Sequence, residues 1–264
     1  AVSRPRPGAL ITGASSGIGY ELAKIFASEG HDVGLVARSA APLERLADSL
    51  RTDFGVRVEV VVADLADPEA PDAVHERLAA SGFQTDILVN NAGFGTIGSF
   101  VEADTGAQVD MVQVNVTALV HLTRLLLPGM VERRSGRVLN VASTAAFQPG
   151  PLMAVYFATK SFVLSFSEAL DEELRGTGVS VTALCPGPTP TGFQKRAGME
   201  KTPIRGKMVT GDVVKVARAG YSGLMKGRRI VIPGAFNRVG SVLPRLFPRG
   251  LATRIVARMT EARH

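Results

Sequence analysis

The chain has one cysteine, no tryptophan and three tyrosines among its 264 residues. A lone Cys185 can neither close an internal disulfide nor build a zinc cluster, so a disulfide framework is excluded. The four histidines, His31, His75, His121 and His264, are scattered without metal-ligand spacing, and no metal site is expected. No uninterrupted apolar run reaches the ~18 residues of an ordinary membrane-spanning helix. The basic start runs straight into a glycine-rich turn rather than an apolar segment, so no secretory leader is expected. A G-x-S-x-G nucleophile elbow is also missing, and Cys185 reads as a buried small hydrophobe rather than a reactive thiol. What the chain does have is 45% hydrophobic and 20% charged residues, enough for one sizeable core without a drift toward disorder. A single-domain, soluble, cytoplasmic protein is the expectation.

The formal charge of +6 invites a nucleic-acid partner, but its distribution argues against one. Residues 228–264 hold eight arginines against the single acid Glu261, which accounts for the whole excess and leaves residues 1–227 close to neutral. Those arginines alternate with Phe236, Val239, Val242, Leu243, Leu246, Phe247, Leu251, Ile255, Val256 and Met259. The pattern predicts a basic amphipathic segment over 235–264, broken near Pro244 or Pro248. It has three uses: covering a cleft, supporting an oligomer, or peripheral contact with an anionic membrane. Packing on its own body is the plainest.

Hydrophobic periodicity alternates between two and about 3.6 residues along most of the chain. Strands are predicted at 9–12, 32–37, 56–62, 86–89, 137–142, 179–184 and 229–232. Helices are predicted after Gly17, at 40–53, 68–80 with Pro68 in the first turn, 105–134, 153–175 and 212–225. The strands are near-continuous runs of Val, Ile and Leu, as expected when helices cover both faces of a mainly parallel, doubly wound α/β sheet. Residues 188–210 are polar and longer than an ordinary connector, which predicts a substrate lid.

The run Thr12-Gly13-Ala14-Ser15-Ser16-Gly17-Ile18-Gly19 sits where the first strand feeds a helix. Missing Cβ atoms allow a tight turn and close approach of a pyrophosphate, and the free N–H groups of the following helix attract its charge. The spacing differs from the usual GxGxxG. It resembles the TGxxxGxG turn of the short-chain dehydrogenase/reductase family in its classical form, and the likeness extends over nearly the whole chain. Asn90-Asn91-Ala92-Gly93, Asn115, Ser143, Tyr156-Phe157-Ala158-Thr159-Lys160 and Pro186-Gly187 all fall in the family's order.

The resemblance implies a Rossmann-like fold and a nicotinamide cofactor. Gly13, Ser15, Ser16, Gly17, Ile18 and Gly19 would take the pyrophosphate side, Asp64 and Leu65 the adenine, and Asn90, Asn91, Ala92 and Gly93 the cofactor-side wall. Pro186, Gly187, Thr189 and Thr191 would approach the nicotinamide. Family members that prefer NAD place an acid at the end of the second strand, whereas this chain has Ala37 then Arg38, whose guanidinium can pair with a 2′-phosphate. NADP(H) is therefore expected.

Tyr156 and Lys160 are spaced to share one helix face. A tyrosine of ordinary pKa ~10 is a poor base, but a neighbouring ammonium can favour its ionised form. The resemblance makes Tyr156 the proton exchanger, Lys160 its partner and the holder of the nicotinamide ribose, Ser143 the group that orients the substrate oxygen, and Asn115 the anchor of a water-linked relay. Phe94, Phe147, Pro149, Met153, Val155 and Phe193 are candidates for an apolar substrate cleft, or equally for core packing. Reduction of an apolar ketone or aldehyde is the expected reaction. A 3-oxoacyl thioester reductase and a non-catalytic NADP-binding sensor or scaffold are the alternatives. The helices over 105–134 and 153–175 are those through which family members form homodimers or homotetramers.

Overall fold

The computed structural model describes residues 6–190 and 211–242, together with Gly250, Thr253, Arg254, Val256 and Ala257. Thr191, Phe193, most of the expected lid and most of the segment beyond Val242 lie outside the described residues.

Strands β1 (Gly8–Thr12), β2 (Asp32–Ala37), β3 (Val58–Val62), β4 (Thr85–Asn90), β5 (Gly136–Val141), β6 (Val179–Leu184) and β7 (Ile230–Val231) form one sheet in the order β3-β2-β1-β4-β5-β6-β7. Every pairing is parallel. Strand order reverses between β1 and β4, so the connections leaving them go to opposite faces and open a crevice above their C-terminal ends. Among the described residues the sheet is accompanied by helices α1 (Gly17–Ser28), α2 (Ala40–Phe54), α3 (Ala70–Ala80), α4 (Thr105–Val112), α5 (Ala118–Glu132), α6 (Ala154–Glu173), α7 (Val213–Met225) and α8 (Ala235–Val242).

Alternate strand residues explain why the strands are apolar throughout. Ile11, Leu35 and Val89 join Leu22, Phe26, Leu46 and Leu224 in one core layer, while Leu10, Val36 and Leu88 join Leu122, Leu126 and Met130 in the other. Two expected helices changed in detail. Pro68 precedes α3, because Asp67 accepts the Glu69 N–H at 3.0 Å and closes a turn there, leaving Pro71 in the helix's first turn. The long 105–134 helix is interrupted by a π-helical turn at Gln113–Thr117. By length and composition the stretch Thr105–Glu132 is apolar enough to cross a membrane. In the fold, Met111, Ala118, Leu122, Leu126 and Met130 are buried.

A polar network runs through this apolar interior beneath the crevice. Asn90 Nδ2 donates to Thr123 Oγ1 at 3.0 Å and to Asn140 Oδ1 at 2.9 Å, and Asn140 Nδ2 donates to Ser167 Oγ at 2.9 Å. Asn90 was expected on the cofactor wall, but its side chain is turned inward, where it ties β4 and β5 to α5. Removing one partner from a buried pair leaves the others unsatisfied, at about 1–3 kcal/mol. Asn140→Ala, which strips Asn90 and Ser167 at once, is expected to lower unfolding stability by about 1–3 kcal/mol, read as a lower urea midpoint with an unchanged slope.

Candidate active site

The crevice at the β1/β4 junction is held by reciprocal bonds between the two connections that leave it. Thr12 Oγ1 accepts the backbone N–H groups of Asn91 and Ala92 at 3.0 and 2.9 Å and donates to Val89 O at 3.3 Å. In return Asn91 Nδ2 donates to the carbonyls of Thr12 and Gly13 at 2.9 and 3.2 Å. The glycine run gives Thr12 no task of its own; the signal for one is its position as the last residue of β1, next to the turn.

The glycines do what their positions demand. Gly13 and Gly17 have φ of +66° and +61°, a region costly for residues with a Cβ. A Cβ on Gly19 would lie 2.5 Å from Gly13 O and collide with Asn91 Nδ2, so helix α1 can begin this close to the turn only without one. Ser16 stands at the N-cap of α1 without a side-chain bond to the helix, and the first turn carries no acid. The first N–H groups of α1 therefore face the crevice with their partial positive charge, an arrangement that fits a pyrophosphate. Ile18 contributes only backbone there, because its side chain packs on the core.

Arg38 follows β2 at the outer rim, with Nη1 3.8 Å from Asp64 Oδ2; both side chains are exposed. The pair is long and solvated, and stabilises the fold little. Leu65, expected at the adenine, has its side chain buried with Val61 and Val74, which leaves only its backbone for a ligand.

On the other side of the crevice, the π-helical turn delivers Asn115. Its Oδ1 accepts Phe94 N–H at 3.0 Å, and its Nδ2 donates to Phe94 O at 2.9 Å and to Thr159 Oγ1 at 3.1 Å. One buried amide thus fixes the loop after Gly93 and the helix that carries Tyr156 and Lys160. Thr159, another residue to which sequence reasoning assigned no role, links the two. A Cβ on Gly93 would lie 2.9 Å from Asn115 Oδ1 and 3.4 Å from Lys160 Nζ, so Gly93, Asn115 and Lys160 meet at one point.

Lys160 Nζ donates to Val141 O at 2.8 Å and lies 5.8 Å from the centroid of the Tyr156 ring. Burial pulls its pKa down to about 8, with the neighbouring Cys185 opposing slightly. Burial pushes the Tyr156 hydroxyl up to about 12, offset in part by its hydrogen bond with Ser143. Desolvation is the larger of the two effects and favours the phenol over the anion. Ser143 is the N-cap of a short 3-10 turn, Thr144–Phe147; its Oγ accepts Ala145 N–H at 3.1 Å and donates to Pro186 O at 3.5 Å, which fixes the side chain in place beside the tyrosine. Cys185 is fully buried, its thiol pushed up to about 12 by that burial, and it is chemically silent.

Pro186 and Gly187 line the same end: Pro186 O accepts Thr144 N–H at 2.9 Å, and Thr189 Oγ1 donates to Gly187 O at 2.9 Å. Gly211 N–H donates to Pro188 O at 2.9 Å, so the chain returns after residue 210 to the point where it left. Of the cleft candidates, Met153 is buried beside a cavity of about 350 Å³ shared with Ile97 and Leu152. Phe147 packs against Leu119, Val163 and Ala146 instead, and Pro149 is exposed.

A short chain dehydrogenase family profile matches residues 8–202. The very-long-chain 3-oxoacyl-CoA reductase of Anas platyrhynchos is 34% identical over 243 residues, covering 89% of this chain and 75% of the relative. Against several other curated relatives the chain spans 58% of their length. Among solved structures, the short-chain dehydrogenase from Sphingobium yanoikuyae in complex with NADPH is 35% identical, with a TM-score of 0.81 over 98% of this chain and 97% of that one. The bulky-bulky ketone specific alcohol dehydrogenase from Comamonas testosteroni is 31% identical, with a TM-score of 0.77 over 92% and 94%. With its sheet order, its glycine turn and the Asn115, Ser143, Tyr156 and Lys160 constellation, this chain belongs to the short chain dehydrogenase family of oxidoreductases.

Proposed function

We propose that the protein is an NADPH-dependent reductase of apolar ketones or aldehydes. The observation that carries this reading is the Ser143–Tyr156 hydrogen bond beside a buried Lys160. When bound, the nicotinamide supplies a hydride to the carbonyl carbon. The chain's own part is to hold the carbonyl oxygen with the Ser143 and Tyr156 hydroxyls and to give that oxygen the phenolic proton of Tyr156. A phenol protonated far above neutral pH is in the correct state to donate that proton during reduction. Lys160 charges the site behind the ring and is placed to hold the cofactor ribose, while Asn115 keeps the tyrosine helix and the Gly93 loop in register.

A second reading, reduction of 3-oxoacyl thioesters, is favoured by the name of the Anas relative. Both readings use the same proton donor and separate on a panel of bulky ketones and acyl thioesters. Cofactor choice rests on Arg38, whose exposed guanidinium has room for a 2′-phosphate once it leaves its long contact with Asp64. The exposed Val109 and Val112 of α4 and Phe162 of α6, on helices that touch each other, support association of copies through this face.

Replacing Tyr156 by Phe is expected to reduce kcat by ~10²–10⁴-fold with KM little changed, since it removes the proton donor alone. In the wild type, kcat/KM for reduction should be level at neutral pH and fall as pH rises through about 8, where Lys160 sheds its proton, because Tyr156 stays protonated until about 12. Initial rates from neutral to alkaline pH check this, and a level profile across that range would remove Lys160's charge from the account. Arg38→Asp should cut kcat/KM for NADPH by about 10- to 100-fold while sparing NADH, in line with the ~1.5–3 kcal/mol of a hydrogen bond to a charged group. Light scattering at several concentrations is expected to find a dimer or tetramer that Val109→Asp with Phe162→Asp dissociates.

A further inference from the structure

Helix α8 is built the wrong way round for a surface helix. Phe236 and Val239, one turn apart, are 77% and 64% exposed. Two of its polar residues turn inward: Ser241 is buried and bonds back to the carbonyls of Asn237 and Arg238, and Asn237 packs so closely on Gly187 that a Cβ there would lie 2.5 Å from its Oδ1. An ordinary amphipathic helix buries its apolar stripe in its own protein and offers its polar side to water. Here Phe236 and Val239 are left outside, with the exposed Arg238 between them in sequence. The helix is also anchored, touching the 3-10 turn that begins after Ser143, so it lies beside the crevice.

We propose that this outward face is a docking surface for an anionic lipid bilayer, with Phe236 and Val239 entering the headgroup region and Arg238 pairing with its phosphates. The choice of partner comes from charge. From Arg228 onward the sequence holds eight arginines and one acid, Glu261. Arg229 is neutralised within the protein by Asp171 and Glu172 at 3.0 and 2.7 Å. Arg238 is exposed and is fixed beside the apolar pair by donating to Ile232 O at 3.1 Å. A second copy presenting this face would bring like charges together. Nucleic acid would meet the arginines but leave the phenylalanine and valine without an apolar partner. An anionic bilayer satisfies both.

The surface is independent of turnover, so its test does not depend on the reductase reading. Purified full chain is sedimented with vesicles of phosphatidylcholine alone, or of phosphatidylcholine and phosphatidylglycerol in equal amounts, at low and high salt. Binding is expected with the mixed vesicles, weakly or not at all with phosphatidylcholine alone, and is expected to fall as salt rises. Phe236→Ser with Val239→Ser should weaken binding by about 10-fold or more, with circular dichroism and melting temperature unchanged. Arg238→Glu, which keeps the apolar pair, should lose the preference for the anionic vesicles. The proposal is overturned by a wild-type chain that stays in the supernatant, or by a serine double variant that pellets like wild type. It is equally overturned if the double variant only dissociates an oligomer, or if a nucleic acid is bound through Phe236 and Val239 in place of the vesicles.

Discussion

The bonds between Thr12 and the Asn91-Ala92 backbone, returned by the Asn91 amide to Thr12 and Gly13, hold together the point where the sheet divides. Where the strand order reverses, the two connections go to opposite faces and leave a crevice outside the C-terminal ends of the paired strands. Without a clasp, the glycine turn on one side and the Gly93 loop on the other would have no fixed separation. With it, the N-terminus of α1 faces the crevice at one wall, and Gly93 meets Asn115 and Lys160 at the other. Each such bond is worth only about 1 kcal/mol net. Their effect is geometric: a proton donor and a pyrophosphate seat built on separate elements come to lie in one cleft.

The local distortion of the long helix falls at the same place. A π-helical turn is uncommon because it gives poorer packing along the helix axis, and it persists here where Asn115 bonds in both directions with Phe94 and reaches Thr159. The buried amide compensates for the irregular backbone. It also holds the Tyr156 helix against the loop, so that Lys160 can be buried over the Val141 carbonyl and still lie beside the phenol ring. Burial then sets the protonation of both groups, holding the tyrosine neutral and weakening the lysine's hold on its proton.

The charge pattern divides the molecule in the same way as its packing. The body is close to neutral and closes its core on both faces of the sheet, whereas the cationic stretch begins near β7 and meets the crevice through Asn237 on Gly187. Helix α8 packs on the body through Asn237 and Ser241 and leaves Phe236 and Val239 outside, a combination that the simple alternatives of packing or exposure did not anticipate.

Much of this was legible in the sequence. Strand and helix periods depend on near neighbours, and β2 and β6 fall at the expected residues, Asp32–Ala37 and Val179–Leu184. The glycines of the turn announce themselves because positive φ and close approach leave few substitutes, and Tyr156 and Lys160 share a helix face by spacing alone. What only the tertiary structure decided were the directions of adjacent polar residues and the environments around them. Asn90 and Asn91 are neighbours of the same type, yet one joins the buried network and the other forms the clasp, since successive residues at a strand end face opposite sides and only the packed layers choose the side. The π-helical turn, the neutral state of Tyr156 and the outward apolar face of α8 were hidden for the same reason. Each is set by what other elements bring against it, and desolvation and packing are not properties of a residue or its spacing.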